Sequence, residues 1–94
     1  MNKYEVLYII NPTLEEEARK AVIEKFKGIV EIVGEVTEIN EWGIRKLAYD
    51  IQKHKEGYYV LMNFKAPEDL PMELERNFGI SEDIMRYMVM KIEE

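Results

Sequence analysis

Residues 42–64, WGIRKLAYDIQKHKEGYYVLMNF, contain a polar turn between two segments rich in apolar and aromatic residues. The first segment belongs to a predicted strand over residues 36–51, which Gly43 interrupts with a bulge or bend. Residues 53–57 form the polar turn, and residues 58–65 form the next predicted strand. This stretch therefore predicts a long β-hairpin in the middle of the chain.

A strand and a helix precede this hairpin. Residues 4–10, YEVLYII, have high strand propensity and are apolar on both faces, as in a central strand. Thr13 begins the helix, because Thr13 and Glu16 have the capping-box spacing, and Gly34 ends it. The apolar stripe of this helix has helical spacing and consists of Leu14, Ala18, Val22, Phe26, Ile29 and Val33.

A second helix and a last strand follow the hairpin. The helix is predicted over residues 69–78, with Pro71 in its first turn and Gly79 at its end. Residues 84–92 alternate as a strand. The element order predicts one α+β domain over residues 1–94, a ferredoxin-like βαββαβ sandwich with a four-stranded antiparallel sheet and two helices on one face. We expect the first and last strands in neighbouring central positions.

Strand alternation assigns side chains to the two faces of this sheet. The face under the helices is predicted to carry Tyr4, Val6, Tyr8, Val60, Met62, Phe64, Tyr87 and Val89. The open face is predicted to carry Leu7, Ile9, Tyr59, Leu61, Arg86, Met88 and Met90. Such an apolar face indicates a surface for a partner protein. The two residues after Ile92 are too few to cover it, so we expect no cover from the chain itself.

Charge is unevenly distributed along the chain, whose formal net charge is −6. Residues 43–65 carry five basic and two acidic side chains, whereas the flanking segments are both acidic. On charge alone, a solvated hairpin is the simpler interpretation. The alternative is that Arg45, Lys46, Lys53 and Lys55 contact RNA phosphates.

Several other functions find no support in the sequence. There is no cysteine, no apolar run long enough for a membrane helix, and no signal peptide, so we expect a cytoplasmic protein. His54 is the single histidine and lies in the polar turn. No glycine loop for phosphates, metal-ligand cluster or catalytic group is recognisable, and we expect no enzymatic activity, cofactor or small-molecule substrate. A regulatory or dimerising ACT-like domain of the same fold remains an alternative function.

Four segments together are typical of one known protein family: MNKYEVLYIINPTL, WGIRKLAYDIQKHKEGYYVLMNF, APEDL and IMRYMVMK. From Lys3 to Lys91 the chain resembles the family of bacterial small-subunit ribosomal protein number six. The resemblance implies a ferredoxin-like protein of the small-subunit platform. Such a protein binds the central domain of the rRNA as a heterodimer with ribosomal protein number eighteen.

The resemblance also implies which residues meet each partner. The residues expected on the rRNA side are Lys3, Tyr4, Arg45, Lys46, Lys53, Arg86 and Lys91. The surface expected to meet the partner protein consists of Leu7, Ile9, Tyr59, Leu61, Met88 and Met90.

Overall fold

The computed structural model describes residues 1–51 and 53–92, which form four strands and two helices. In chain order the elements are β1 (Asn2–Ile10), α1 (Glu16–Glu31), β2 (Glu35–Ile51), β3 (His54–Ala66), α2 (Leu70–Ile80) and β4 (Ile84–Ile92). The predicted βαββαβ order and the ferredoxin-like fold are confirmed. β3 begins at His54, earlier than predicted, so the polar segment 54–57 is part of the strand and not of the turn.

All strands pair antiparallel in the order β2-β3-β1-β4. β1 and β4 are neighbours, as predicted, but the prediction that both are central is wrong. β3 pairs with one side of β1, so β4 can add only at the other side and becomes an edge strand. The two central strands are therefore β1 and β3.

The core lies between the sheet and the two helices. Every predicted inward residue of β1 and β3 is buried, and Tyr87 and Val89 of β4 pack against the same cluster. A cluster of aromatic rings packs the two helices against the sheet: the Phe26 and Phe78 ring centroids are 4.3 Å apart, and those of Tyr8 and Phe78 are 5.0 Å apart. This packing fixes which sheet face the helices leave open.

The start of α1 differs from the prediction. The Asn11 side-chain oxygen accepts hydrogen bonds from the Thr13 amide at 2.9 Å and from the Thr13 hydroxyl at 2.8 Å. Because Thr13 is held in this turn, the helix begins at Glu16 after an N-cap at Glu15 that makes no side-chain capping bond. The predicted capping box is therefore wrong, since the local Asx-type turn competes with it.

Helix α2 keeps Pro71 in its first turn, as predicted. It continues through Gly79 to Ile80, so the prediction that Gly79 ends the helix is wrong. The bulge predicted at Gly43 is confirmed, because the β2–β3 register shifts between Glu41 and Gly43, where Gly43 has a φ of +84°. This bulge bends the strand that carries the candidate residues Arg45 and Lys46.

Candidate partner and RNA interface

The end of the β2–β3 hairpin folds back over one end of the open sheet face. Leu47 of β2 is buried, and Ile9 beneath it is only 6% exposed. Gly57 of β3 makes the contact possible, because a Cβ there would collide with the Ile9 side chain and lie 3.4 Å from Leu47. The prediction that the chain provides no cover for this face is therefore wrong at this end. Ile9, predicted to meet a partner protein, packs under the hairpin, and its contact with a partner stays a prediction.

A groove of about 180 Å³ remains between the folded-back hairpin and the sheet. Its walls include Tyr49 and Ile51 from the hairpin and Leu7 and Met88 from the sheet. Arg86 of β4 donates a hydrogen bond to the Tyr49 hydroxyl, and its guanidinium carbon lies 5.4 Å from the centre of that ring. Arg86 thereby ties the edge strand to the hairpin.

The rest of the open face is apolar and accessible. Leu61, Leu7 and Met88 lie in one row across β3, β1 and β4. Met88 is 50% exposed and Met90 is 44% exposed. Together with the half-buried Tyr59, these residues place five of the six predicted partner-surface side chains on one continuous face. Their contact with a partner stays a prediction.

An aromatic stack adjoins this row. Trp42 has no pairing partner at the β2 bulge and lies parallel to Tyr59, with ring centroids 6.2 Å apart and an interplanar angle of 7°. The Arg45 guanidinium carbon lies 5.7 Å from the Trp42 ring centre, within the range of a cation–π contact. Sequence reasoning missed Trp42 and Tyr49 as surface residues. The tryptophan next to Gly43 was the available signal, since a bulge re-aims the side chain beside it.

The basic residues predicted to meet rRNA do not form one patch. Arg45 and Arg86 lie on the open face, while Lys46 is exposed and, by strand alternation, points away from it. Lys53 lies at the hairpin turn with a φ of +70°. Lys3 is six residues before Ile9 on β1, so about 20 Å separates it from the hairpin end of the sheet.

Lys91 and Tyr4 are at the same end of the sheet as Lys3, where they occupy opposite positions on β4 and β1. Lys91 is exposed, but Tyr4 is 6% exposed and its ring stacks on Phe64 with centroids 5.5 Å apart. The Tyr4 ring therefore belongs to the core, and its contact with RNA stays a prediction.

On the helix side of the sheet, the Tyr58 hydroxyl donates a 2.7 Å hydrogen bond to Glu41, and the Arg19 guanidinium carbon lies 4.1 Å from its ring centre. Burial, followed by this hydrogen bond, raises the pKa of Tyr58. Within residues 1–51 and 53–92, no group of three or more His, Cys, Asp or Glu side chains could hold a metal ion. No helix in the described part of the chain is long and apolar enough to cross a membrane.

The fold and its open face define a class: a ferredoxin-like domain with one partly covered, apolar sheet face. The family model for ribosomal protein S6 matches residues 3–91. The small ribosomal subunit protein bS6 of Clostridium novyi (strain NT) is 58% identical over 95 residues, covering all of both chains. That of Alkaliphilus metalliredigens (strain QYMF) is 52% identical over 94 residues, again covering both completely.

A solved structure agrees with these sequence matches. The crystal structure of 30S ribosomal protein S6 from Thermotoga maritima superposes with a TM-score of 0.91 at 31% identity, covering 97% of this chain and 87% of that one. The chain belongs to the ribosomal protein S6 family. The resemblance seen in the sequence is therefore confirmed, and it is favoured over the ACT-like alternative.

Proposed function

We propose that this protein is a component of the small ribosomal subunit and binds the central domain of its rRNA together with ribosomal protein number eighteen. The family match over residues 3–91 is the observation that carries this proposal. The role requires binding and positioning, with no chemical step and no cofactor. It also implies a cytoplasmic, ribosome-bound location.

The protein partner has a suitable surface in the open face. Methionine side chains adapt their shape to an irregular partner, and Met88 and Met90 are about half exposed there. An exposed apolar patch rimmed by polar residues is typical of a protein-binding site. This supports the assignment of Leu7, Tyr59, Leu61, Met88 and Met90 to the protein partner.

The RNA has a suitable surface on the hairpin. Lys46, Lys53 and Lys55 are exposed in a segment whose local charge is positive, while the chain as a whole carries −6. Lysine contacts to phosphates supply affinity that is independent of sequence and sensitive to salt. Because acidic side chains dominate the remainder of the chain, we expect weak binding to rRNA by this protein alone.

The partner protein would raise the RNA affinity by adding its own contacts at high effective concentration. A filter-binding titration of a central-domain rRNA fragment, with and without ribosomal protein number eighteen, tests this. We expect tight binding only with the partner. With about five phosphate contacts, the affinity should fall roughly 100- to 500-fold between 50 and 200 mM salt. Equal affinity with and without the partner would contradict the proposal.

Charge reversals test which surface meets the RNA. Lys53→Glu at the hairpin turn should weaken binding of the heterodimer to rRNA about tenfold or more, because a favourable phosphate contact becomes repulsive. Lys20→Glu is the matched control. Lys20 lies on α1, where its exposed side chain forms a 3.3 Å ion pair with Glu16. Equal losses for both variants would indicate a general effect of net charge and not a contact at the hairpin.

A further inference from the structure

One row of the open face carries hydrogen-bond acceptors on three of its four strands and ends at Met90 of β4. The strand register puts Glu38 of β2 opposite Asn63 of β3, and Asn63 opposite Glu5 of β1. We call these three residues the acceptor row. Adjacent strands are about 4.8 Å apart, so the acceptor row spans about 10 Å. It lies directly beside the apolar row of Leu61, Leu7 and Met88.

The side-chain acceptors of this row receive few hydrogen bonds from the chain itself. The Asn63 amide nitrogen donates to a Glu38 carboxylate oxygen at the long distance of 3.5 Å. The Asn63 side-chain oxygen is buried and has no hydrogen-bond partner in the described part of the chain. Glu5 is half-buried, and its side chain makes no hydrogen bond or ion pair with residues 1–51 and 53–92. A buried acceptor without a donor is unfavourable, and because the Asn63 oxygen is enclosed, a donor from outside the chain reaches it only when neighbouring side chains of the row move aside; such a donor would stabilise the row.

The chemistry of the row selects the kind of donor. Two carboxylates and an amide oxygen within about 10 Å match a group with several N–H donors and a positive charge. An arginine guanidinium has five such donors in a rigid planar fork and is less strongly hydrated than a lysine ammonium. It therefore suits a half-buried row beside apolar side chains better than lysine does.

Charge complementarity also favours a protein over RNA at this row. A phosphate near Glu5 or Glu38 would be repelled by the carboxylate. The next row toward the end of the sheet contains Lys3 and Lys65, which face each other on β1 and β3. These lysines, and not the acceptor row, are the groups on this part of the face that attract phosphate.

We infer that the acceptor row binds an arginine side chain of a protein that docks on the open face, with the adjacent apolar row receiving the partner's apolar side chains. This inference rests on the proposed function, which supplies a protein partner. It adds the chemical group that the partner must present and the three residues that receive it.

Calorimetric titration with ribosomal protein number eighteen tests the inference. Glu5→Gln removes the charge and keeps the shape, and it should weaken partner binding about tenfold, as for loss of a hydrogen bond to a charged group. Glu38 is exposed on the edge strand β2, so Glu38→Gln should weaken partner binding by less, severalfold. Glu24→Gln, at an exposed position of α1, is the matched control and should stay within twofold of the wild type. Thermal unfolding of each variant checks that the fold is retained.

Salt dependence supplies a second readout that a purely structural effect would not change. Loss of an ion pair should make partner affinity less sensitive to salt in Glu5→Gln than in the wild type. If the wild type binds the partner and both row variants bind it equally well with the same salt dependence, the inference is wrong while the proposed function stands. If the wild type does not bind the partner at all, both are overturned.

Two other occupants of the row would also be revealed. If Glu5→Gln leaves partner binding unchanged but strengthens binding of the isolated chain to the rRNA fragment about tenfold, the row faces RNA and the inference is wrong. If the wild type sediments as a dimer that Glu5→Gln dissociates, a second copy of this chain occupies the face. That result would equally overturn the inference.

Discussion

Replacing Gly34 by alanine should strongly destabilise the protein. Gly34 connects α1 to β2, and its amide donates a 2.8 Å hydrogen bond to the Val30 carbonyl. A Cβ at this position would approach the Lys65 carbonyl oxygen more closely than the 3.0 Å below which real Cβ atoms essentially never come. It would also lie 3.1 Å from both the Cα and the Cβ of Ala66.

The cost follows from what must move. The obstructing atoms are backbone of β3, whose neighbouring residue Ala66 is fully buried and whose Lys65 pairs with both β1 and β2. Overpacking that shifts backbone costs about 1–3 kcal/mol, and we expect the upper end here, about 3 kcal/mol. Each kcal/mol lowers the melting temperature of a domain of this size by about 4–8 °C, so Gly34→Ala should melt roughly 12–24 °C lower.

A matched control is available in the same helix region. Gly28 lies inside α1, and no atom of another part of the chain lies within 4 Å of the position that a Cβ would take there, so Gly28→Ala meets no obstruction. Removing a helix-interior glycine should raise the free energy of unfolding by about 0.5–1 kcal/mol. Urea denaturation of the three proteins gives both values. If Gly34→Ala were as stable as the wild type, or if both substitutions shifted stability in the same direction, the steric argument would be refuted.

Three further perturbations test the core, a surface ion pair and the hairpin. Tyr8→Phe removes a buried hydroxyl that has no partner in the described part of the chain, so urea denaturation should show unchanged stability or a gain of about 1 kcal/mol; a clear loss would reveal a donor or acceptor not accounted for. Hydrogen bonds from Arg76 and then Asn77 lower the pKa of Glu73 below its ordinary value of 4.5. The stability that these hydrogen bonds to the Glu73 carboxylate contribute is present above pH 4.5 and is lost as the pH falls through the folded-state pKa. The difference in unfolding free energy between the wild type and Glu73→Gln should therefore shrink from pH 7 to pH 3. A difference that stays constant over this range would contradict the argument. Leu47→Ala should cost about 2 kcal/mol and speed hydrogen exchange in the hairpin, whereas unchanged exchange would argue against the fold-back.

The fold was largely predictable because side-chain alternation in strands is a local property. The buried face of β1 and β3 follows directly from the period of two, and the predicted inward residues are all in the core. Strand order depends on how all four strands pair and not on local sequence, and for that reason the prediction that β4 is central was wrong. The predicted start of α1 was wrong because Thr13 can either cap the helix or donate hydrogen bonds to the Asn11 side chain. In the structure it donates to Asn11.

The candidate site was predictable only in part. The apolar open face followed from the same alternation, but the burial of Ile9 depends on contacts with Leu47 and Gly57, far along the chain. Counting charges along the chain identified the basic hairpin. It did not show that strand alternation places the basic side chains of this hairpin on two different faces of the sheet. Arg45 points toward the open face, and Lys46 points away from it.

Strand lengths explain why the hairpin folds back. β2 and β3 have 17 and 13 residues, whereas β1 and β4 have nine each, so the hairpin must extend beyond the sheet that supports it. An extension carrying Leu47 on one face would leave that side chain in water unless it bent toward the sheet. The bulge at Gly43 permits the bend, and Gly57 leaves room for Ile9 underneath. The same bend leaves Lys53 exposed at the hairpin turn, and the hairpin does not cover the acceptor row at the other end of the face. The separation that we propose between an RNA surface and a protein surface is thus a consequence of two strands being longer than their neighbours.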